Sequence, residues 1–338
     1  MEPIDVRKND LAVWLQGPLQ SWPMGILPMP GDASSRRYFR ILHDKVSYVV
    51  MDAAPELGHD VRPFIAIANA LRAMGLLTPE IIAVDVARGF LLLSDFGAST
   101  YLHVLNDSNA DFLYNQALDA LAVLQRCCNV PEWVVPFFTR ELMWQEWSWF
   151  QDWFVGRYLQ LAPSSITKEL HDCMQLVIEC ALSQPQVFMH RDYHSANLML
   201  VKQSVGILDF QDAFIGPVTY DLVSLLRDCY ISWSTEQVHA WVLSYHDRLQ
   251  DTGIASVSAE VFLRWFDWMG VQRHLKALFT FSRKHIRDHM SQYLQHVPRT
   301  LQYLTQVSNA YPELTALSDF LQTQVVPAYQ KVTAQCVA

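Results

Sequence analysis

One stretch, His190-Arg191-Asp192-Tyr193-His194-Ser195-Ala196-Asn197 followed by Ile207-Leu208-Asp209-Phe210-Gln211-Asp212, constrains this chain more than any other. It sets an Asp, an Asn five residues later, and a second Asp after a short hydrophobic run. Phosphoryl transfer from a magnesium nucleotide needs that set of groups. One carboxylate accepts the acceptor hydroxyl's proton, while an amide oxygen and another carboxylate hold magnesium against the phosphates. Two other readings compete. The stretch can be an ordinary buried polar turn between helix and strand. Alternatively, His190, Asp192 and His194 can be metal ligands of a hydrolase, because alternating residues of an extended segment share a face. The hydrolase reading leaves Asn197 and Asp209 without a role.

Bulk properties narrow the class without sharpening it. A chain of 338 residues forms one large or two medium domains. With 51% apolar and 17% charged residues, it is expected to be a compact globule with extensive buried surface. The net charge of −9 argues against nucleic acid as a partner, which would call for a basic face. Six cysteines without a C-x-x-C pair read as reduced, mostly buried thiols of a cytosolic protein. The N-terminus lacks an apolar signal core, and no apolar run approaches the ~20 residues of a membrane span. The expectation is a cytoplasmic enzyme with no membrane association and no evident protein partner.

Along the first hundred residues, Asp10 is expected to cap a short helix reaching Gln16, after which Pro23, Pro28 and Pro30 interrupt regular structure. Gly31 to Ser35 reads as a polar turn. Arg36 to Ile41 follows as a strand, with Arg36, Tyr38 and Arg40 on one face and Arg37, Phe39 and Ile41 on the other. Ser47 to Met51 is a second strand. A small-residue turn between strands can present backbone N–H groups to phosphate, and neighbouring arginines can add charge-assisted hydrogen bonds. An ordinary hairpin with a solvated basic edge is the alternative. Pro63 to Met74 has helical spacing closed by Gly75, and Ile81 to Val86 and Phe90 to Leu93 read as strands. The Asp-Phe-Gly at residues 95–97 lies upstream of Asp192 and so is not the magnesium motif. It fits a hinge, where backbone groups near Ser94, Asp95 and Phe96 can pair with an adenine.

From about Tyr101 the chain reads as helical, with segments Asp111–Cys127, Glu141–Tyr158 and Thr167–Leu182. Trp144, Trp147, Trp149 and Trp153 are read first as core and only second as a platform for sugar rings. Asp221 is expected to cap a helix and to brace the loop at Asp192. Arg227 can face either substrate or solvent. Val261 to Phe281 is a buried helix whose Arg264, Gln272, Arg273, His274 and Lys276 form a solvated basic face, or meet an acidic substrate group if one end reaches the site. Ser291 to Ala338 supplies closing helices.

The order and spacing of the central stretch match the kinase catalytic loop H-R-D-x-x-x-x-N and the metal-binding D-F-G that follows it. Only eleven residues separate Asp209 from Asp221, too few for the segment that docks a protein substrate, so the acceptor is a small molecule. The chain resembles the aminoglycoside phosphotransferase family of small-molecule kinases. More narrowly, it resembles the bacterial anomeric kinases for N-acetylmuramate and N-acetylglucosamine used in cell-wall recycling. The resemblance rests on Gly31-Asp32-Ala33-Ser34-x-Arg36-Arg37-Tyr38-Phe39-Arg40 and the central stretch. It extends through Gly216-Pro217-x-Thr219-Tyr220-Asp221-Leu222-Val223 and Trp268-Met269-Gly270-x-Gln272-Arg273-His274-Leu275-Lys276.

That resemblance implies an α+β, protein-kinase-like two-lobe fold. Residues 1–97 would form a small antiparallel-sheet lobe ending in the hinge, and residues 98–338 a larger helical lobe, with nucleotide between them. It implies Asp192 as the catalytic base, Asn197 and Asp209 as magnesium ligands, and ATP as donor. Ser34, Arg36, Arg37, Arg40, Ser94, Asp95 and Phe96 are expected at the nucleotide, and His194, Asp212 and Arg227 at a small sugar substrate. His190 and Asp221 are expected to be structural. One departure stands out. Where most kinases carry a strand lysine, this strand ends Val49-Val50-Met51-Asp52, and Arg36, Arg37 or Arg40 is expected to supply the charge. Another alcohol kinase, such as one acting on aminoglycosides, and a nucleotide-binding scaffold without activity are the remaining alternatives.

Overall fold

The computed structural model describes residues 5–29 and 35–335, so Ser34 and most of the expected phosphate turn lie outside the described residues. In chain order the first elements are α1 (Val6–Leu19), β1 (Met24–Pro28), β2 (Arg37–His43), β3 (Val46–Asp52), α2 (Arg62–Ala73), β4 (Ile81–Asp85), β5 (Phe90–Ser94) and α3 (Tyr101–Val104). Then follow α4 (Ala110–Leu124), α5 (Arg140–Trp149), α6 (Lys168–Leu182), β6 (Gln186–Met189), β7 (Leu198–Val201), β8 (Ser204–Ile207), β9 (Phe214–Pro217) and α7 (Tyr220–Leu226). The chain closes with α8 (Thr235–Thr252), α9 (Ala259–Asp288), α10 (Val297–Ala310), α11 (Thr315–Phe320) and α12 (Val326–Gln335). The backbone packs into two units. One comprises Met1–Val104, Asn129–Val134 and Leu198–Asp212; the other comprises Leu105–Cys128, Val135–Asn197 and Ala213–Ala338. The expected boundary at residue 97 thus falls near Val104, and the first unit also takes in the β7–β8 hairpin.

The first unit is built on a five-stranded antiparallel sheet in the order β1-β2-β3-β5-β4. Strand β2 alternates as expected, with Phe39 and Ile41 buried against Leu11, Leu15 and Leu19 of α1 together with Val50, Phe90 and Leu92. Those three leucines recur every fourth residue and so form one stripe along the helix. Helix α1 starts earlier than expected, because the Asp5 carboxylate, not that of Asp10, accepts the otherwise unpaired Lys8 N–H. Strand β1 was unexpected. Its Pro28 is tolerated because an edge strand does not need every N–H, and a register shift between Met24 and Leu27 absorbs the irregularity. The β7–β8 hairpin joins this unit through bridges from Leu77 to Gly206 and from Thr100 to Met199. Position 206 must be Gly, since a Cβ there would sit 2.8 Å from the Phe96 ring.

The second unit is almost entirely helical. Helix α5 runs on into a π-helical segment, Phe150–Tyr158, and Trp147, Phe150, Phe154 and Tyr158 stack successively at 5.3, 5.5 and 5.9 Å. They share one core with Leu275, Leu278 and Phe279 of α9, so the tryptophan-rich segment is core. The short β6–β9 ladder carries the chain into the 190–197 loop. Among the described residues no helix is long and apolar enough to cross a membrane. The five described cysteines are not joined in disulfides, and Cys128 is exposed and Cys180 partly so.

Candidate active site

The loop after β6 is held by buried carboxylates. Asp221, in the first turn of α7 and fully buried, accepts the His190 N–H at 2.6 Å and the Arg191 N–H at 2.9 Å. Arg191 has φ +80°, a conformation that L side chains adopt only when their surroundings impose it. The Asp221 bonds supply that constraint. Asp221 therefore braces the loop, and the expectation that it caps the helix is corrected: Thr219 occupies the cap position. Burial pushes the Asp221 carboxyl up to about 6, against the pull of His190 and the two amides. Further along, the Tyr193 hydroxyl donates to the Ala117 carbonyl, and the Ser195 N–H and hydroxyl both donate to Asp228 Oδ2. The fully buried His190 accepts the Asp192 N–H on Nδ1.

Asp192 is 36% exposed, and its Oδ1 faces Lys276 Nζ at 3.3 Å and Arg273 Nη2 at 3.8 Å. Burial acts to raise its pKa, but Lys276, Arg273, His194 and Arg191 outweigh that and hold the carboxyl well below the usual range. Asp192 is ionised at neutral pH. The Asn197 amide nitrogen donates to the Asp192 carbonyl at 3.0 Å, which turns Oδ1 away from that carbonyl. Behind Asp192, the buried Glu146 accepts from Gln272 Nε2 at 2.6 Å and from Arg191 Nη2 at 3.2 Å. Burial pushes Lys276 down to about 8, with Asp192 opposing the shift.

The sequence leaves Arg273 and Lys276 either on a solvated basic face or at an acidic substrate group, and Glu146 as a candidate partner of sugar hydroxyls; the structure places all three close to Asp192. A signal was present. The neighbours Trp268, Met269, Leu275, Leu278 and Phe279 make α9 apolar on every side, so its polar residues have no solvated face to occupy.

In the first unit, Asp209 also has a left-handed backbone, φ +61°, and its Oδ1 accepts from Gln211 Nε2 at 2.7 Å. The next residue, Phe210, is buried and stacks on Phe64 at 4.8 Å. Asp212 is exposed and lies 3.8 Å from Arg36 Nη1. The three expected phosphate arginines separate here. Arg37 is held by Asp52 (3.0 and 2.6 Å) and by Asp5, with Arg7 on the other Asp52 oxygen. Arg40 grips Asp95 with two bonds, at 2.7 and 3.1 Å, and donates to the Gly97 carbonyl. Both guanidiniums are held by carboxylates, and Arg36 faces one as well, the exposed Asp212.

Of the residues expected at a hinge, Asp95 is the carboxylate that Arg40 grips. The Ser94 N–H donates to the Glu80 carbonyl, and the Ser94 hydroxyl accepts the Glu80 N–H. Phe96 packs on Gly206.

Arg227 is buried, its Nη2 bonds Asp267 at 2.6 Å, and its guanidinium lies 4.5 Å from the Phe266 ring centre. Its other terminal nitrogen, Nη1, is buried with no hydrogen-bond partner among the described residues. His194 lies on the 190–197 loop of the second unit with its ring edge-on to Tyr230, and Asp212 belongs to the first unit. Among the described residues no three His, Cys, Asp or Glu side chains gather as a metal cage, and the hydrolase reading of His190, Asp192 and His194 falls with that. Magnesium needs no such cage. It binds a few hard oxygens and takes the rest from phosphate and water, and an Asn amide with an Asp carboxylate is a donor set of that kind.

Comparison with known proteins identifies the family of the chain. The phosphotransferase enzyme family model matches residues 25–259. The N-acetylmuramate/N-acetylglucosamine kinase of Pseudomonas aeruginosa is 41% identical over 330 residues, covering 94% of this chain and 96% of that protein. The kinase of the same name from Neisseria meningitidis is 36% identical over 318 residues, covering 92% and 94%. The crystal structure of a choline kinase from Streptococcus pneumoniae superimposes with a TM-score of 0.65 over 89% of this chain and 100% of that one, at 11% identity, a likeness of fold.

Proposed function

The chain belongs to the phosphotransferase enzyme family, and from that premise we propose that it is an ATP-dependent sugar kinase acting on N-acetylmuramate and N-acetylglucosamine. The acceptor is the anomeric hydroxyl, and the products are a sugar 1-phosphate and ADP, as peptidoglycan recycling would require. The carrying observation is the near full-length identity to kinases of that name. The cations beside Asp192 also count against a cationic acceptor such as an aminoglycoside.

Asp192 hydrogen-bonds the anomeric hydroxyl and orients it in line with the γ-phosphate. A carboxylate held below the usual pKa range is a weak base, so it accepts the proton late, after the bond to the leaving oxygen has loosened. Asn197 Oδ1 and Asp209 are the assigned magnesium ligands, and the ion, when bound, would neutralise phosphate charge. Asp221 and Asp228 hold the loop so that Asp192 need not reorganise on reaction.

We assign to Arg36 the charge that a strand lysine supplies in other kinases. Arg36→Ala should raise the KM for ATP by about tenfold, the cost of one charge-assisted hydrogen bond, with little change in Tm. Arg37→Ala should instead lower Tm and leave that KM nearly unchanged, since it strips Oδ2 of the buried Asp52 of both its bonds and leaves only Arg7 on Oδ1. The reverse pattern would sink the assignment.

The overall reading is tested by coupled ADP release with Mg-ATP on N-acetylmuramate, N-acetylglucosamine, glucose, an aminoglycoside and choline. Turnover confined to the N-acetylated sugars is expected, with phosphate on C1. Turnover only on another acceptor, or on none, overturns the substrate.

A further inference from the structure

The helix α9 residues that surround Asp192 carry more positive charge than their neighbours cancel. Five charged groups meet at Lys276: its own ammonium, Arg191 and Arg273 against Asp192 and Glu146. Tyr220 also faces them, its hydroxyl kept neutral by burial. Both carboxylates are already engaged. Glu146 serves Gln272 and Arg191, while Asp192 Oδ1 is shared by the two α9 cations. The side chains of Arg273 and Lys276 are only 10% and 11% exposed, where an uncompensated charge is costly.

Two buried polar atoms in the same cluster, Tyr220 Oη and Gln272 Oε1, have no hydrogen-bond partner among the described residues. Buried polar groups are normally paired, so these call for a ligand with its own donors and acceptors. A sugar carries such groups. The two sugars of the proposed reaction differ in one respect that matters here. N-acetylmuramate bears a carboxyl-containing ether and is an anion at neutral pH, whereas N-acetylglucosamine is neutral.

We propose that Arg273 and Lys276 receive the carboxylate of the acidic sugar, so that α9 sets the preference between the two substrates. The inference rests on the amino-sugar kinase reading. One carboxylate would complete the charge balance, three cations against three anions, and leave Asp192 Oδ2 to the anomeric hydroxyl.

The test is kcat/KM for both sugars at saturating Mg-ATP, in the wild type, Lys276→Met and Lys276→Arg. Because Lys276 also touches Asp192, the methionine variant should lose activity on both. The readout is therefore the ratio of the two kcat/KM values on one preparation, in which the fraction of folded protein cancels. The N-acetylmuramate to N-acetylglucosamine ratio should fall roughly 10- to 100-fold in Lys276→Met, the range of a lost charge-assisted hydrogen bond, and return to within about threefold in Lys276→Arg. In the wild type the KM for N-acetylmuramate should climb as pH rises through about 8, where Lys276 loses its proton, while that for N-acetylglucosamine does not follow. An unchanged ratio in Lys276→Met overturns the inference and assigns the cation to Asp192 or the transferred phosphoryl group. Wild-type turnover on N-acetylglucosamine alone overturns it too, yet spares the kinase reading. A wild type idle on both sugars defeats the kinase reading itself.

Discussion

Asp192→Asn should lower turnover by roughly 100- to 10,000-fold, the contribution of a positioned general base, with the fold intact. The amide keeps the shape of the carboxylate but cannot accept the hydroxyl's proton. It also withdraws the anion that Lys276 and Arg273 face, and their charge then repels a proton moving off the sugar. The side chain is partly exposed and its backbone contacts, the N–H to His190 and the carbonyl from Asn197, survive the substitution. Two nearly buried cations do lose their anion, so Tm should fall by a few degrees while the protein still folds and binds nucleotide. Coupled ADP release and nucleotide affinity measured on the same sample give the answer. A variant that keeps more than a tenth of the turnover would mean that Asp192 is not the base.

Asp221→Ala should be the most damaging substitution for stability among the site residues, by about 3–5 kcal/mol. It removes one carboxylate from two buried backbone N–H groups, each such charge-assisted bond contributing roughly 1.5–3 kcal/mol. It also releases Arg191 from a backbone conformation that nothing else described here enforces as directly. Asp221→Asn, which still offers one acceptor oxygen, should fall between the two. Thermal unfolding of the three proteins, with turnover measured well below each Tm, separates the effects on stability and on geometry. Equal Tm values would show that the loop is held without Asp221.

The sequence reading reached the loop because its information is local. Asp192, Asn197 and Asp209 are fixed by spacing along the chain, and the alternation of Phe39 and Ile41 in β2 is a period that survives folding. Partners that lie far along the chain were not legible in it. Arg37 and Arg40 look like phosphate ligands until Asp52 and Asp95 are seen to hold them, 15 and 55 residues away. Arg227 looks available until Asp267, 40 residues on, is placed against it. Edge strand β1 was hidden by prolines, since only the completed sheet reveals which strand has a spare side. The basic residues of α9 were left between a solvated face and an acidic substrate group, because a helix's share of water is set by its neighbours.

Helix α9 is 30 residues long and divides its duties by position. Leu275, Leu278 and Phe279 knit the core, while Gln272, Arg273 and Lys276, one helical turn of polar positions, address the loop. Such a division makes substrate choice evolvable on its own. Exchanges confined to that turn could retune the preference between acidic and neutral sugars on a fixed scaffold, and a combinatorial library at these three positions would be a compact route to kinases for other amino sugars.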